Sequence, residues 1–187
     1  EDEIRSVVET LKSGWLTTGV KVKRFEEDFA KYLGCGHAIA MNSGTAALHL
    51  ALDAIGIKEG DEVIVPTMTF TATAEVVLYF KARPVLVDCD PATLNIDPVQ
   101  IESKITPKTR AIIPVHMAGQ PCDMDEILGM ARARGIHVVE DAAHALPAFY
   151  RDRMIGTIGD ITCFSFYVTK TITTGEGGMA TTENPEW

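Results

Sequence analysis

The chain has 187 residues, is 46% hydrophobic and carries a formal net charge of −9. That length and apolar content suit one globular α/β domain with ample core. The acidic balance argues against a nucleic-acid surface, which needs clustered lysine and arginine, and no apolar run approaches the roughly 20 residues that span a bilayer.

Ile4, Val7, Val8 and Leu11 recur at helical spacing and predict an amphipathic helix over 3–12, stopped by Ser13-Gly14. Trp15 to Gly19 reads as a loop, and 22–33, with Phe25, Phe29 and Tyr32, as a second helix ended by Gly34 and Gly36. His37–Met41 is a short strand, Asn42-Ser43-Gly44 a turn, and 45–55 a helix rich in alanine and leucine. Strands are then expected at 62–65, 84–87, 111–115 and 136–139, and helices at 71–80, 98–103 and 124–134. Short apolar runs separated by helical patterns indicate βαβ crossovers, hence a three-layer α/β fold with a mostly parallel sheet covered by helices on both faces. Residues 161–166 and 178–182 break that rhythm: two strands joined by a loop without a helix, so some antiparallel pairing is expected there. Residues 1–33 thus form N-terminal helices and a loop, and 37–187 a sheet core.

The chemistry concentrates in two places. Cys163 to Thr169 is an apolar, aromatic run that delivers Lys170 into a loop of hydroxyls and glycines ending at Gly178. Desolvation disfavours a charged ammonium, and a neutral amine is the nucleophile that forms a Schiff base with a carbonyl. Twenty-nine residues earlier, the strand Val138-Val139 ends in Glu140-Asp141, then Ala142-Ala143-His144. An aspartate at the carboxyl end of a strand lies where open α/β sheets place ligands. A Schiff-base lysine and an aspartate facing a pyridinium nitrogen are the protein's two main electronic contributions to pyridoxal 5′-phosphate (PLP) chemistry. The small residues opening the 45–55 helix leave first-turn amides uncovered, which with the helix dipole makes an anion site. Asp88 and Asp90, in Asp88-Cys89-Asp90-Pro91, read as turn residues. No G-x-G-x-x-G follows a strand and no G-x-x-x-x-G-K-[ST] is present, which weakens dehydrogenase and P-loop readings. Cysteines at 35, 89, 122 and 163 have neither Cys-x-x-Cys nor Cys/His metal spacing, so reduced thiols and no metal site are expected. With no secretory pattern, a cytoplasmic location is expected.

Taken together, Ser13 to Gly19, Asn42 to Leu48, Asp61 to Pro66, Pro114-Val115-His116, Glu140 to Ala145 and Ser165 to Gly178 resemble the large-domain half of the DegT/StrS-type nucleotide-sugar aminotransferases. These are fold-type-I, PLP-dependent transferases. The resemblance implies that Lys170 and Asp141 are catalytic, and that Gly44, Thr45, Ala46 and Ser165 meet the cofactor phosphate. It further implies that Phe70 stacks on the pyridine ring, that His144 helps hold Asp141 or the phenolic oxygen, and that Thr17 and Thr18 lie toward the sugar. PLP is the implied cofactor, a nucleotide-linked keto sugar the substrate and glutamate the amino donor. A smaller C-terminal domain would lie beyond Trp187, and a homodimer is implied, in which a neighbouring subunit completes the cofactor site. Thr171 departs from the family's usual asparagine after the lysine, which puts one local hydrogen bond in doubt. The rivals are a PLP sugar dehydratase, in which histidine replaces the lysine, and a non-catalytic PLP-fold sensor.

Overall fold

The structure, a computed structural model, describes residues 1–187. In chain order its helices are Asp2–Ser13 (α1), Val20–Leu33 (α2), Gly44–Ala54 (α3), Ala72–Leu78 (α4), Pro98–Lys104 (α5) and Met124–Arg132 (α6). Its strands are His37–Met41 (β1), Glu62–Pro66 (β2), Arg83–Val87 (β3), Thr109–Ile112 (β4), His137–Asp141 (β5), Phe149–Tyr150 (β6), Arg153–Met154 (β7), Ile161–Ser165 (β8) and Gly178–Thr182 (β9). Seven of them form one sheet in the order β1-β9-β8-β5-β4-β2-β3. The central pairs are parallel, and only β9 runs against its neighbours, β8 and β1.

Side-chain alternation along the strands builds two cores, one on each face. Ile64, Ile112, Val138, Phe164 and Met179 point to one face and pack with α2, α5 and α6. Their neighbours Val63, Val65, Ile113, Val139 and Cys163 point to the other face, toward α3 and α4. A period of two in side-chain direction is what a strand dictates. The result is the expected three-layer arrangement. On the first face Phe29 of α2 meets the rings of Phe164 and Phe166 edge-on, at centroid distances of 5.3 and 5.6 Å.

Helix ends follow their sequence signals. Gly14 and Gly34 take left-handed conformations (φ 74° and 79°) that close α1 and α2. Ser43 caps α3, and Asp97 caps α5 ahead of Pro98.

Three details differ from expectation. The fourth strand ends at Ile112, and Ile113–Val115 continue extended with only isolated bonds to neighbouring strands. The β6–β7 hairpin has strands of two residues, too short to show a period. The stripe Ile4, Val7, Val8 and Leu11 forms its helix, but no residue of α1 is buried. No helix is long and apolar enough to cross a membrane, and all four cysteines are free.

Candidate active site

The carboxyl ends of β5 and β8 and the N-terminus of α3 converge on one cavity of about 580 Å³. Alternation again places the side chains. Phe164 and Phe166 are committed to the α2 core, so Ser165 between them must face the opposite side, where it lines the cavity. Behind it the backbone is tightly packed. A Cβ on Gly44 would lie 3.0 Å from Ser165 Cβ, and one on Gly178 would lie 2.3 Å from the carbonyl oxygen of Ser43. Only residues without a side chain let β9, β8 and the start of α3 approach this closely.

At the α3 terminus the Ser43 hydroxyl accepts from the Ala46 amide at 3.0 Å. The amides of Gly44 and Thr45 stay uncapped, at the positive end of an 11-residue helix dipole and at the cavity wall. Of the three expected phosphate-binding residues at this turn, Ala46 thus has its amide already engaged.

Asp141 ends β5 and is buried. Both carboxylate oxygens are held: Oδ1 accepts from the Ala143 amide at 3.1 Å and Oδ2 from the Thr73 hydroxyl at 2.7 Å. Adjacent Glu140 points to the other side of the sheet and is fully buried. It accepts from His116 Nε2 at 2.9 Å and from Gly159 N and Thr162 Oγ1, each at 2.7 Å. Burial, the largest influence, pushes its carboxyl up. The hydrogen bonds from His116, Thr162 and Gly159 outweigh it and leave the group below its ordinary range. His116 Nδ1 accepts from the Cys122 amide at 3.1 Å, which fixes Nε2 as the donor to Glu140. His116 is therefore structural and does not border the cavity.

Lys170 is half-buried and lines the cavity, and its Nζ forms no hydrogen bond or ion pair within the chain. Its loop is anchored at both ends. The Phe166 amide donates to Gly177 O at 2.8 Å, the Thr174 amide donates to Phe166 O at 3.0 Å, and the Lys170 amide closes a turn on Tyr167 O. His144 sits exposed at the rim. The low-dielectric wall beside it, then the charge of Lys170, hold its imidazole below the usual range, against an opposing pull from Asp141. Cys163 also lines the cavity, but burial and then the Asp141 and Glu140 charges push its thiol far up, so it is no nucleophile. Phe70 stands 78% exposed at the mouth, an aromatic face free to stack.

Thr17 and Thr18 are not brought to this cavity. Thr17 lines a separate shallow depression with Trp15 and Lys21, and Thr18 O accepts from the Trp15 indole at 3.1 Å. Asp88 and Asp90 are turn residues: the Asp90 carboxylate accepts from the Ala92 and Thr93 amides. Sequence reasoning passed over Thr69, Thr73 and Glu176.

The sequence model of the DegT/DnrJ/EryC1/StrS aminotransferase family matches residues 1–187. The chain belongs to this family. It is 55% identical over 186 residues to the spore coat polysaccharide biosynthesis protein SpsC of Bacillus subtilis, covering all of this chain and 48% of that protein. It is 52% identical over 181 residues to the GDP-perosamine synthase of Caulobacter vibrioides, covering 96% of this chain and 49% of that one. Among solved structures, Spr1654 of Streptococcus pneumoniae, known in PLP and PMP forms, superposes with a TM-score of 0.93 at 41% identity. That match covers 99% of this chain and 51% of Spr1654. The chain thus spans about half the length of the family members it matches, and its fold is that of PLP-dependent aminotransferases.

Proposed function

We propose that residues 1–187 form the PLP-binding large domain of an aminotransferase that converts a nucleotide-linked keto sugar to an amino sugar, with glutamate as donor. The observation that carries this reading is the grouping in one cavity of an unpaired lysine amine, a carboxylate held at both oxygens and a helix N-terminus whose first two amides stay free. These groups fit PLP in size and chemistry. The Gly44 and Thr45 amides and the Ser165 hydroxyl would hold the phosphate, Asp141 the ring nitrogen, Phe70 the ring face, and Lys170 the aldehyde carbon.

Bound PLP supplies an electron sink for breaking the C–H bond beside the transferred nitrogen. Asp141 keeps negative charge where positive charge is wanted, and its two fixed donors hold that charge in place without reorganisation. Lys170, with no competing partner, is free to attach the cofactor and afterwards to move a proton at its Nζ. His144, its imidazole below the usual range, is suited to accept a hydrogen bond at the rim. The family and the likeness to GDP-perosamine synthase support a nucleotide sugar as substrate. Sugar contacts, glutamate recognition and completion of the site by a second copy of the chain are assigned to parts outside this half, and the protein to the cytoplasm.

The test has two arms. Titration of this chain with PLP, followed by absorbance, should saturate at one equivalent, with inorganic phosphate competing. An unsaturable response would overturn cofactor binding. In a full-length protein carrying these residues, glutamate and a panel of nucleotide-linked keto sugars should yield an amino sugar, read by mass. Saturable PLP without amination of any sugar would overturn the sugar assignment.

A further inference from the structure

Asp141 is not held by its own strand alone. Thr73, fully buried at the start of α4, places its hydroxyl 2.7 Å from Asp141 Oδ2, and Thr69 Oγ1 lies 2.7 Å from the same Thr73 hydroxyl. The direction of this chain is fixed by chemistry. An ionised carboxylate only accepts, so the Thr73 hydroxyl donates its one proton to Asp141 and must accept from Thr69. Thr69 therefore points its proton inward, and it is half-buried with part of its surface on the cavity wall. Both threonines come from the segment that also carries Phe70, so one short stretch faces Asp141 and presents an aromatic ring to the same cavity.

We infer that Thr73 is a positioning residue for Asp141, and that Thr69 orients the Thr73 hydroxyl. The pair holds Oδ2 in one direction, so that Asp141 is set to recognise a protonated ring nitrogen. This rests on the reading that Asp141 faces the nitrogen of a pyridine-ring cofactor. A buried hydroxyl bonded to a carboxylate is worth more than a neutral pair, and chains of such bonds reinforce one another. Thr73 touches no ligand in this account and acts only through Asp141.

The experiment uses two probes that cannot react with Lys170: pyridoxine 5′-phosphate, and its deaza analogue in which C–H replaces the ring nitrogen. Affinities are measured for the wild-type chain, Thr73→Val, Thr73→Ser, Asp141→Asn and the double variant Thr73→Val/Asp141→Asn. Loss of one charge-assisted hydrogen bond should weaken binding of the pyridine probe by about tenfold in Thr73→Val, with little change for the deaza probe. Thr73→Ser keeps the hydroxyl and should restore the difference. In the Asp141→Asn background, Thr73→Val should add nothing. Equal weakening of both probes, or a full further loss in the double variant, would show a merely structural role and overturn the inference. Should Thr73→Val fail to fold, a Thr73→Ser chain that does not keep the preference for the pyridine probe overturns it equally. If Asp141→Asn itself leaves the two probes undistinguished from wild type, the reading of Asp141 fails first, and the role of Thr73 with it.

Discussion

At the scale of single residues, the site depends as much on absent side chains as on present ones. Gly178 sits where an added Cβ would lie within 2.7 Å of Ser43 O, Ser43 C and Gly44 N. Those are backbone atoms of the α3 cap, which no rotamer change can move aside. Gly178→Ala should therefore separate β9 from α3, at a cost of about 1–3 kcal/mol typical of overpacking, and should turn the Gly44 and Thr45 amides away from the cavity. Chemical denaturation would read the first effect and competition by inorganic phosphate for PLP the second. Wild-type values for both would show that the close approach is not needed. Lys170 poses the opposite case, since its amine matters by what it does not touch. An ion pair there would compete with the nucleophilic role proposed for it, and none of its neighbours makes one.

At the scale of elements, β5 carries two carboxylates side by side with different tasks. Its alternation turns Asp141 to the cavity and Glu140 to the opposite core, where three donors surround it. Glu140→Gln should cost about 1–3 kcal/mol, because the amide group must face a donor whichever way it is turned. Flipping the His116 tautomer offers no escape, since Nδ1 already accepts from the Cys122 amide. The pH dependence has a definite sign. The folded carboxyl lies below its ordinary 4.5, so its stabilisation is present above that value and is lost as pH falls through the folded value. The stability gap between wild type and Glu140→Gln should thus be full near neutrality and should shrink on acidification below 4.5. A gap independent of pH in that range would contradict an ionised Glu140. The sequence made β5 and its acidic pair legible, because a short β-branched strand ending in Glu-Asp needs only a period of two to be read. It did not reveal that Glu140 and Asp141 serve different cores. Nor did it reveal Thr73, whose partner lies 68 positions away and whose role is defined by a contact that no local pattern encodes. The β6–β7 hairpin was invisible for a simpler reason, since two residues cannot show a period.

At the scale of the molecule, the sheet order explains why the site lies where it does. β1 occupies one edge, α3 crosses the face covering β5, β8 and β9, and the chain resumes at β2 on the far side. That crossing brings a helix N-terminus over the carboxyl ends of β5 and β8, the crevice where open α/β sheets bind ligands. Thr17 and Thr18 lie away from it, Thr17 in a separate depression beside Trp15. The apolar stripe on α1 is likewise without a packed partner in this half. On the reading proposed above, this half holds the cofactor through one lysine among several, Lys170. The most direct measurement is to incubate the chain with PLP, reduce with borohydride, digest and map the pyridoxyl label by mass. The account predicts label on Lys170, lost in Lys170→Ala while the circular dichroism of the fold is retained. A label on another lysine, or an unlabelled chain that nevertheless saturates with PLP, would contradict it.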